Sequence, residues 1–192
     1  MSRMAFIDIE TTGFSRDWCF IIEMAAVIYN EEEQKSEDEF QEYIRPKGSI
    51  PVKITALTGI TNEMVKDARS EREVLMDFLE WLIVNKITKI GGHNVKAFDI
   101  NFINARAAKY GFAPIENVEI VDTLSIARKK KPPTTMKTAT GNPSYKLEGI
   151  AAGYGFTYNA HSALDDVKVN ILVYEKLGLN KTKAEVRNSL GF

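Results

Sequence analysis

The chain has 192 residues, a formal net charge of −1 and 44% hydrophobic residues. This composition is typical of one globular domain, and it excludes a disordered chain and a uniformly basic nucleic-acid binder. The one cysteine, Cys19, excludes a disulfide framework and a zinc site built from several cysteines. Because no apolar stretch is long enough to span a membrane and no secretory leader precedes Asp8, we expect a soluble, cytoplasmic protein with no membrane partner.

The first part of the chain predicts three antiparallel strands, at residues 4–10, 21–29 and 40–45, with an acidic turn at 31–39. Helices and strands then alternate. Helices are predicted at residues 70–85, 97–110, 147–152 and from 164 to a stop at Gly178, and strands at 87–90 and 118–121. This order predicts an α/β fold with a mixed sheet flanked by helices. We expect one domain over residues 1–192, with 179–192 as a short C-terminal extension and 130–143 as a long loop.

Two acidic residues interrupt the apolar first strand. Asp8 and Glu10 lie two positions apart, so both side chains leave the same face, while Ile7 and Ile9 take the other. One interpretation is a strand face open to solvent. The other is a pair of carboxylate ligands for a hard divalent cation, which would explain acidic residues in a central strand.

Asp99 is likewise an acidic residue in apolar surroundings, here on a predicted helix. Phe102 and Ile103 follow it at helical spacing, so Asp99 shares their core-facing side. An isolated buried carboxylate needs a proton or a partner. Asp99 is therefore either a further ligand or a first-turn carboxylate that the helix dipole stabilises.

Residues 161–167 contain the start of the last helix. Ser162 and Asp165 have the spacing of a capping box, which predicts that Asp165 caps the helix and leaves Asp166 as a ligand. His161 then lies in the preceding loop, either as a surface histidine or as a group that takes a proton from water. The second histidine, His93, follows two glycines, and we interpret it as a hydrogen-bonded turn residue.

Four carboxylates and one loop histidine point to metal-assisted hydrolysis of a phosphodiester. In such sites, two divalent ions about 3.5–4 Å apart hold the attacking and leaving oxygens.

Together these residues resemble the DEDDh branch of the DnaQ-like 3′→5′ exonucleases. The matching segments follow the family's order and are residues 6–13, 57–61, 92–94, 98–99, 121–124, 145–147 and 161–166. One departure lies between Asn94 and Phe98, where the chain has one residue more than the commoner family spacing. Asp122 falls at a strand end in the family pattern, and we interpret it as structural.

The resemblance implies a ribonuclease-H-like fold and release of nucleoside 5′-monophosphates from a 3′ end. It implies two Mg²⁺ ions, for which Mn²⁺ substitutes, and His161 as the general base. The residues that match the family's metal ligands are Asp8, Glu10, Asp99 and Asp166. Those that match its substrate-binding positions are Thr11, Thr12, Gly13, Phe14, Ile60, Asn94 and Phe98.

A basic stretch indicates the substrate. Residues 123–147 contain six basic side chains and no acidic one, which is typical either of a solubilising loop or of a surface that binds phosphates. We expect an exonuclease that acts on unpaired 3′ ends of DNA in proofreading, repair or DNA processing, with a separate DNA polymerase as partner for proofreading. The alternatives are a nuclease that trims RNA 3′ ends and a non-catalytic module that binds nucleic-acid ends or assists a polymerase.

Overall fold

The computed structural model describes residues 3–179 and has a mixed sheet of six strands at its centre. In chain order the strands are β1 (Arg3–Thr11), β2 (Ile21–Asn30), β3 (Lys35–Arg45), β4 (Arg69–Ser70), β5 (Lys89–Gly92) and β6 (Glu119–Asp122). Their order across the sheet is β4-β3-β2-β1-β5-β6. β1, β2 and β3 are antiparallel neighbours, whereas β5 is parallel to both β1 and β6. The prediction of an antiparallel meander followed by parallel strands is confirmed.

Helices connect and cover the strands. They are α1 (Val52–Thr58), α2 (Asn62–Val65), α3 (Glu71–Val84), α4 (Asp99–Lys109), α5 (Thr123–Lys130), α6 (Leu147–Gly153) and α7 (Ala163–Lys176). The predicted cap of α3 is confirmed, since Ser70 and Glu73 form a reciprocal capping box. Three helices, α1, α2 and α5, lie in segments where none was predicted. None of the helices in the described range is long and apolar enough to cross a membrane.

Apolar side chains pack on both faces of β1 and β2. Ala5, Ile7 and Ile9 face a core formed with α3 and α4, while Phe6 on the opposite face packs against α7. A further apolar cluster joins α5, α6 and α7. Because β1 lies between β2 and β5 and is covered by helices on both sides, any polar side chain on it sits close to the middle of the molecule.

Two predicted boundaries differ from the structure. β3 begins at Lys35, inside the segment that was predicted as a turn, because its exposed polar residues pair with β2 through the backbone and carry no apolar pattern. The predicted loop at 130–143 begins after α5 and contains a short antiparallel bridge between Lys137 and Pro143. The prediction of one domain with an extension at 179–192 stays a prediction, and residues 180–192 lie outside the described range.

Candidate active site

The first two carboxylates lie on the α7 side of β1. Asp8 and Glu10 are both partly exposed, and Glu10 stands opposite Glu23 in the antiparallel pair with β2. The ladder between the two strands shifts its register at Glu10 and Thr11. The irregularity lies beside the second carboxylate, one residue before the strand ends at Thr11.

Asp99 reaches the same place from the opposite side of the sheet. It is the first residue of α4 and is only 3% exposed, and its Oδ1 accepts a hydrogen bond of 3.2 Å from Ile9 N. The turn between β5 and α4 comes very close to β1. At Gly92, a Cβ atom would lie 2.5 Å from the Cβ of Val95 and 3.0 Å from the carbonyl oxygen of Ile7. Glycine at this position therefore lets the turn approach β1, so that Asp99 reaches Ile9.

Asp166 and His161 complete the group from the start of α7. Asp166 Oδ2 accepts a hydrogen bond of 2.8 Å from His161 N, and its Oδ1 accepts one of 2.8 Å from the hydroxyl of Tyr158. His161 has a positive φ of 68°, so its backbone folds back toward the helix that follows. Ligand atoms of Glu10, His161 and Asp166 all lie within 4.8 Å of one another.

The prediction that Asp165 caps α7 is wrong. Ser162 occupies the N-cap position, but its side chain makes no capping hydrogen bond. Instead Glu23 Oε2 accepts a hydrogen bond of 3.1 Å from Ala163 N. The buried carboxylate of Glu23 thus holds the start of α7 against β2. Because Glu23 stands opposite Glu10, this contact keeps His161 and Asp166 close to Glu10.

The carboxylates raise one another's pKa. Burial, followed by the charges of Asp99 and Asp166, raises the pKa of Asp8 well above its usual range. Burial is also the main cause that raises the pKa of Glu10 to about 8 and the pKa of Asp99 to about 7. The pKa of Asp166 is raised by burial as well, although the hydrogen bonds from Tyr158 and the His161 amide oppose the change.

No cation within the described chain neutralises this group. Among residues 3–179, no Lys or Arg forms an ion pair with any of these four carboxylates. Carboxylates that are withdrawn from water hold either protons or bound cations. Since the ligand atoms are carboxylate oxygens with one imidazole nitrogen nearby, the residues fit a hard divalent ion such as Mg²⁺ or Mn²⁺.

The two histidines have different surroundings. His93 Nδ1 lies 3.0 Å from Thr123 Oγ1 and its Nε2 lies 2.9 Å from the carbonyl oxygen of Tyr145, and burial lowers the pKa of His93 to about 4. The interpretation of His93 as a hydrogen-bonded turn residue is confirmed. The side chain of His161 is 39% exposed, and its Nε2 lies 3.7 Å from Glu148 Oε2. Both ring nitrogens of His93 thus lie within hydrogen-bond distance of other groups of the chain, whereas the ring of His161 is partly exposed at the cleft.

Two connected depressions meet at His161 and Asp166. One is a cavity of about 180 Å³ that contains the carboxylates of both β1 and α4, with Asn94 and Phe98 on its wall. The other is a cleft of about 430 Å³ that continues from His161 past Tyr145 to Arg128. The carboxylates lie at the narrow end and the basic residues at the wide end, an arrangement that can receive a polyanionic chain by its terminus.

Comparison with known proteins identifies the family. A model of the RNase_T family, described as "Exonuclease", matches residues 5–174. The chain belongs to this exonuclease family. It forms a DnaQ-like 3′→5′ exonuclease domain, and the family uses divalent metal ions.

The exonuclease domain has relatives among DNA polymerase III proteins. It is 34% identical to the DNA polymerase III subunit epsilon of Aquifex aeolicus over 172 residues, which cover 89% of this chain and 78% of that protein. It is 37% identical to the PolC-type DNA polymerase III of Ureaplasma parvum over 156 residues, or 81% of this chain. The match covers 10% of the length of the PolC-type protein.

Solved structures have the same fold. E. coli exonuclease I, in complex with a dA16 oligonucleotide, aligns with a TM-score of 0.81 at 20% sequence identity. The alignment covers 94% of the exonuclease domain and 42% of the exonuclease I chain. At this identity the likeness concerns the fold, which is the predicted ribonuclease-H-like mixed sheet.

The predicted substrate-binding residues of this exonuclease domain fall into two groups. Asn94 and Phe98 line the cavity of the carboxylates, and the added residue between them is accommodated in a turn in which Phe98 N donates to Asn94 O at 3.0 Å. Phe14 is 85% exposed, and its ring lies edge-on to Phe98 with centroids 6.2 Å apart. Thr11 and Thr12 hold the adjoining turn, since Thr11 Oγ1 donates to the carbonyl oxygen of Gly13.

Ile60 conflicts with its predicted role. It is only 2% exposed and packs with Ile22, Ile50, Ile54 and Val65 beneath α1 and α2. Its side chain therefore has almost no surface for a nucleotide base. Leu57 in the same segment is 50% exposed, but no feature of the sequence separates the outward Leu57 from the inward Ile60.

The basic residues of the stretch 123–147 have different positions in the fold. Arg128 and Lys146 line the wide cleft, whereas Lys130 donates a hydrogen bond to the carbonyl oxygen of Leu177 and so anchors α5 to the end of α7. Asp122 is the N-cap of α5, with Oδ1 accepting from Ser125 N at 3.0 Å, so its structural role is confirmed. Tyr158 and Glu23, which hold Asp166 and α7, were not predicted from the sequence.

Proposed function

We propose that this exonuclease domain hydrolyses phosphodiester bonds at the 3′ end of DNA, with two Mg²⁺ ions, and prefers single-stranded or frayed ends. The products are nucleoside 5′-monophosphates. The observation that carries the proposal is the convergence of four carboxylates and one partly exposed histidine at the narrow end of a cleft, where no Lys or Arg of residues 3–179 pairs with the carboxylates. In a module that only binds nucleic-acid ends, this concentration of negative charge would repel the phosphates of the ligand.

We assign the metal ions to Asp8, Glu10, Asp99 and Asp166. When bound, the ions supply charge stabilisation for the attacking and leaving oxygens of the phosphodiester. The chain prepares this site in two ways. The Ile9 amide orients Asp99, and Tyr158 and the His161 amide orient Asp166, so these carboxylates are held in place before a ligand arrives. Mn²⁺ accepts the same oxygen ligands and is expected to substitute.

We assign His161 as the general base that takes the proton from the attacking water. Its backbone is fixed by the positive φ and by the hydrogen bond to Asp166, while its ring remains open to the cleft. A positioned base of this kind contributes about 10²–10⁴-fold to a rate. Glu148 Oε2 lies 3.7 Å from Nε2 and lines the same cleft.

We assign the terminal nucleotide to the surface formed by residues 11–14 with Asn94 and Phe98. The exposed ring of Phe14 offers a stacking face for a base that is not paired. DNA is the preferred substrate in this proposal because the relatives are DNA polymerase III proteins and the structural neighbour is in complex with dA16. RNA is the alternative that the experiment must exclude, since the metal chemistry does not depend on the 2′-hydroxyl.

The polymerase names of the relatives support a proofreading role with a separate DNA polymerase, or a role in repair or other DNA processing. This role is consistent with the cytoplasmic location that we propose for the protein.

The test uses 5′-labelled single-stranded DNA, duplex DNA and single-stranded RNA with Mg²⁺ or Mn²⁺. We expect single-stranded DNA to shorten fastest, in steps of one nucleotide. Asp166→Asn should lower the rate on the order of 10³-fold, and His161→Ala about 10²–10⁴-fold. Asp165→Asn is the matched control, because it changes a neighbouring carboxylate that makes no capping contact, and it should retain the rate.

Absence of products from every substrate with both ions would contradict the nuclease proposal. Faster shortening of RNA than of DNA would replace DNA by RNA as the substrate. A wild-type rate for His161→Ala would remove only the general-base assignment.

A further inference from the structure

Trp18 is a large aromatic residue that neither the core nor the proposed catalytic group uses. It is 84% exposed, and within residues 3–179 its ring contacts no other ring and its indole nitrogen donates no hydrogen bond. The other tryptophan, Trp81, stacks against Phe78 and donates a hydrogen bond of 2.9 Å to Asp38. Exposure of a whole indole forgoes a large hydrophobic gain, so a ligand that covers it would bind favourably.

The loop that carries Trp18 is held in shape by hydrogen bonds. Thr12 N donates to Phe20 O at 2.9 Å and Phe20 N donates to Thr12 Oγ1 at 3.0 Å, which closes the base of the loop. Within it, Cys19 N donates to Ser15 O at 2.8 Å and forms a single turn. The exposed indole therefore projects from an ordered support.

The same loop is fastened to the core behind it. The ring of Phe20 lies under the guanidinium group of Arg106, 4.7 Å from its centroid, and Arg106 is itself paired with the buried Glu71. On the outer side, Lys109 Nζ donates to the carbonyl oxygen of Asp17. Contacts from α4 thus hold the loop at both its base and its turn.

The position of the loop connects Trp18 with the proposed active site. The loop follows β1, which ends at Thr11, and its first exposed ring, Phe14, meets Phe98 at the wall of the carboxylate cavity. Trp18 lies four residues further along, at the far end of the turn that Ser15 and Cys19 close. The two exposed rings therefore lie on one short loop, whose first ring reaches the wall of the cavity.

We propose that Trp18 forms a stacking subsite for an unpaired base of the substrate strand, on the 5′ side of the nucleotide that Phe14 receives. This inference rests on the proposed function and identifies how a single strand is selected. An indole stacks on any base, because every base has a π face, so the subsite tolerates all sequences. A base that remains paired has its faces covered by its neighbours in the duplex, so frayed or single-stranded ends bind better.

The direct test measures Trp18 fluorescence. The chain has two tryptophans, so Trp81→Phe in the full chain leaves Trp18 as the only indole. Single-stranded oligothymidylates are mixed with this protein in a stopped-flow instrument, each with one abasic site at a different distance from the 3′ end. Stacking should quench the fluorescence, and one particular abasic position near the 3′ end should abolish the quenching. Unchanged fluorescence, or equal quenching by every oligonucleotide, would overturn the proposal.

The kinetic test compares long and minimal substrates. Trp18→Ala should raise KM for single-stranded DNA about 5- to 150-fold, the range expected for one stacked base, and Trp18→Phe should recover most of the loss. The rate on the p-nitrophenyl ester of thymidine 5′-monophosphate should not change, because this ester has no second base. Ile83→Ala, which alters a side chain that is 75% exposed on α3, is the matched control and should behave like the intact protein.

The two proposals fail in different ways. If the intact protein hydrolyses neither DNA nor the ester, the proposed function fails, while the fluorescence measurement still decides the subsite because it requires binding only. If the intact protein is active and Trp18→Ala keeps the wild-type KM, the subsite alone is wrong.

Discussion

The buried carboxylate of Glu71 and the carboxylates of the candidate active site differ in whether the described chain neutralises their charge. Glu71, at the start of α3, accepts hydrogen bonds from the guanidinium of Arg106, from the hydroxyl of Tyr110 at 2.8 Å and from Ile21 N at 2.9 Å. Among the carboxylates of β1, α4 and α7, Asp99 and Asp166 accept hydrogen bonds, and none of the four pairs with a Lys or Arg of residues 3–179. A carboxylate that the chain neutralises serves the fold, whereas carboxylates that remain unneutralised mark a place for an external cation.

The largest expected effect follows from removing one charge of the active-site group. Asp99→Asn keeps an oxygen for the Ile9 amide but removes a proposed metal ligand, so activity should fall on the order of 10³-fold or more. In EDTA the same variant should melt at a higher temperature than the intact protein, because one of several repelling carboxylates is gone.

Nuclease assays with Mg²⁺ and thermal melts in EDTA measure both effects. Asp67→Asn, at an exposed position, is the control and should change neither. A lower melting temperature of Asp99→Asn in EDTA would contradict the view that this group is destabilising without metal.

The second effect concerns the neutralised pair. Glu71→Ala leaves Arg106 buried and unpaired, so the free energy of unfolding should fall by about 3–5 kcal/mol. Urea denaturation measures this loss. The variant should retain its kcat at a temperature where it is folded, and the double variant Glu71→Leu with Arg106→Met should recover much of the stability. If kcat of folded Glu71→Ala falls as far as that of Asp99→Asn, the distinction between the two groups is invalid.

The smallest expected effect is a dependence of folding stability on pH, which divalent ions should reduce. Burial raises the pKa of Glu10 to about 8 and of Asp99 to about 7, so near neutral pH the folded protein holds protons that the unfolded chain has released. Folding without metal therefore takes up protons, and stability falls as pH rises from about 5 to about 8.

Melting temperatures in EDTA across this range measure the effect. Mg²⁺ binds the ionised carboxylates, so it should reduce the fall and stabilise by about 2.7 kcal/mol at about 100 times its Kd. The variant with both Glu10→Gln and Asp99→Asn should show a flatter pH profile. A melting temperature of the intact protein that rises with pH in EDTA would contradict the predicted direction.

Features within a few residues of one another could be predicted from the sequence. The alternation along β1 separates Asp8 and Glu10 from Ile7 and Ile9, and the capping box of α3 joins Ser70 and Glu73. These patterns are local, so spacing alone identifies them. For the same reason the carboxylates and His161 could be selected before their positions in space were known.

Features that depend on distant partners could not be predicted. The cap of α7 comes from Glu23 on β2, and the nearby Ser162 and Asp165 had the correct spacing without making the contact. Ile60 is buried because Ile22 and Ile54 meet it in the folded chain. Helix α5 did have a local signal in Asp122, but the run of basic residues after it was interpreted as part of a loop.

The attachment of α7 has a consequence for the order of synthesis. Asp8 and Glu10 are translated early, whereas His161 and Asp166 come from the last helix and the turn before it, and the tie from Glu23 to Ala163 joins the two. On the proposed assignment, a nascent chain that stops short of α7 has two carboxylates on β1 but neither the last ligand nor the base. On this assignment, the ability to cut nucleic acid arises only when α7 docks on the sheet, late in the synthesis of the chain.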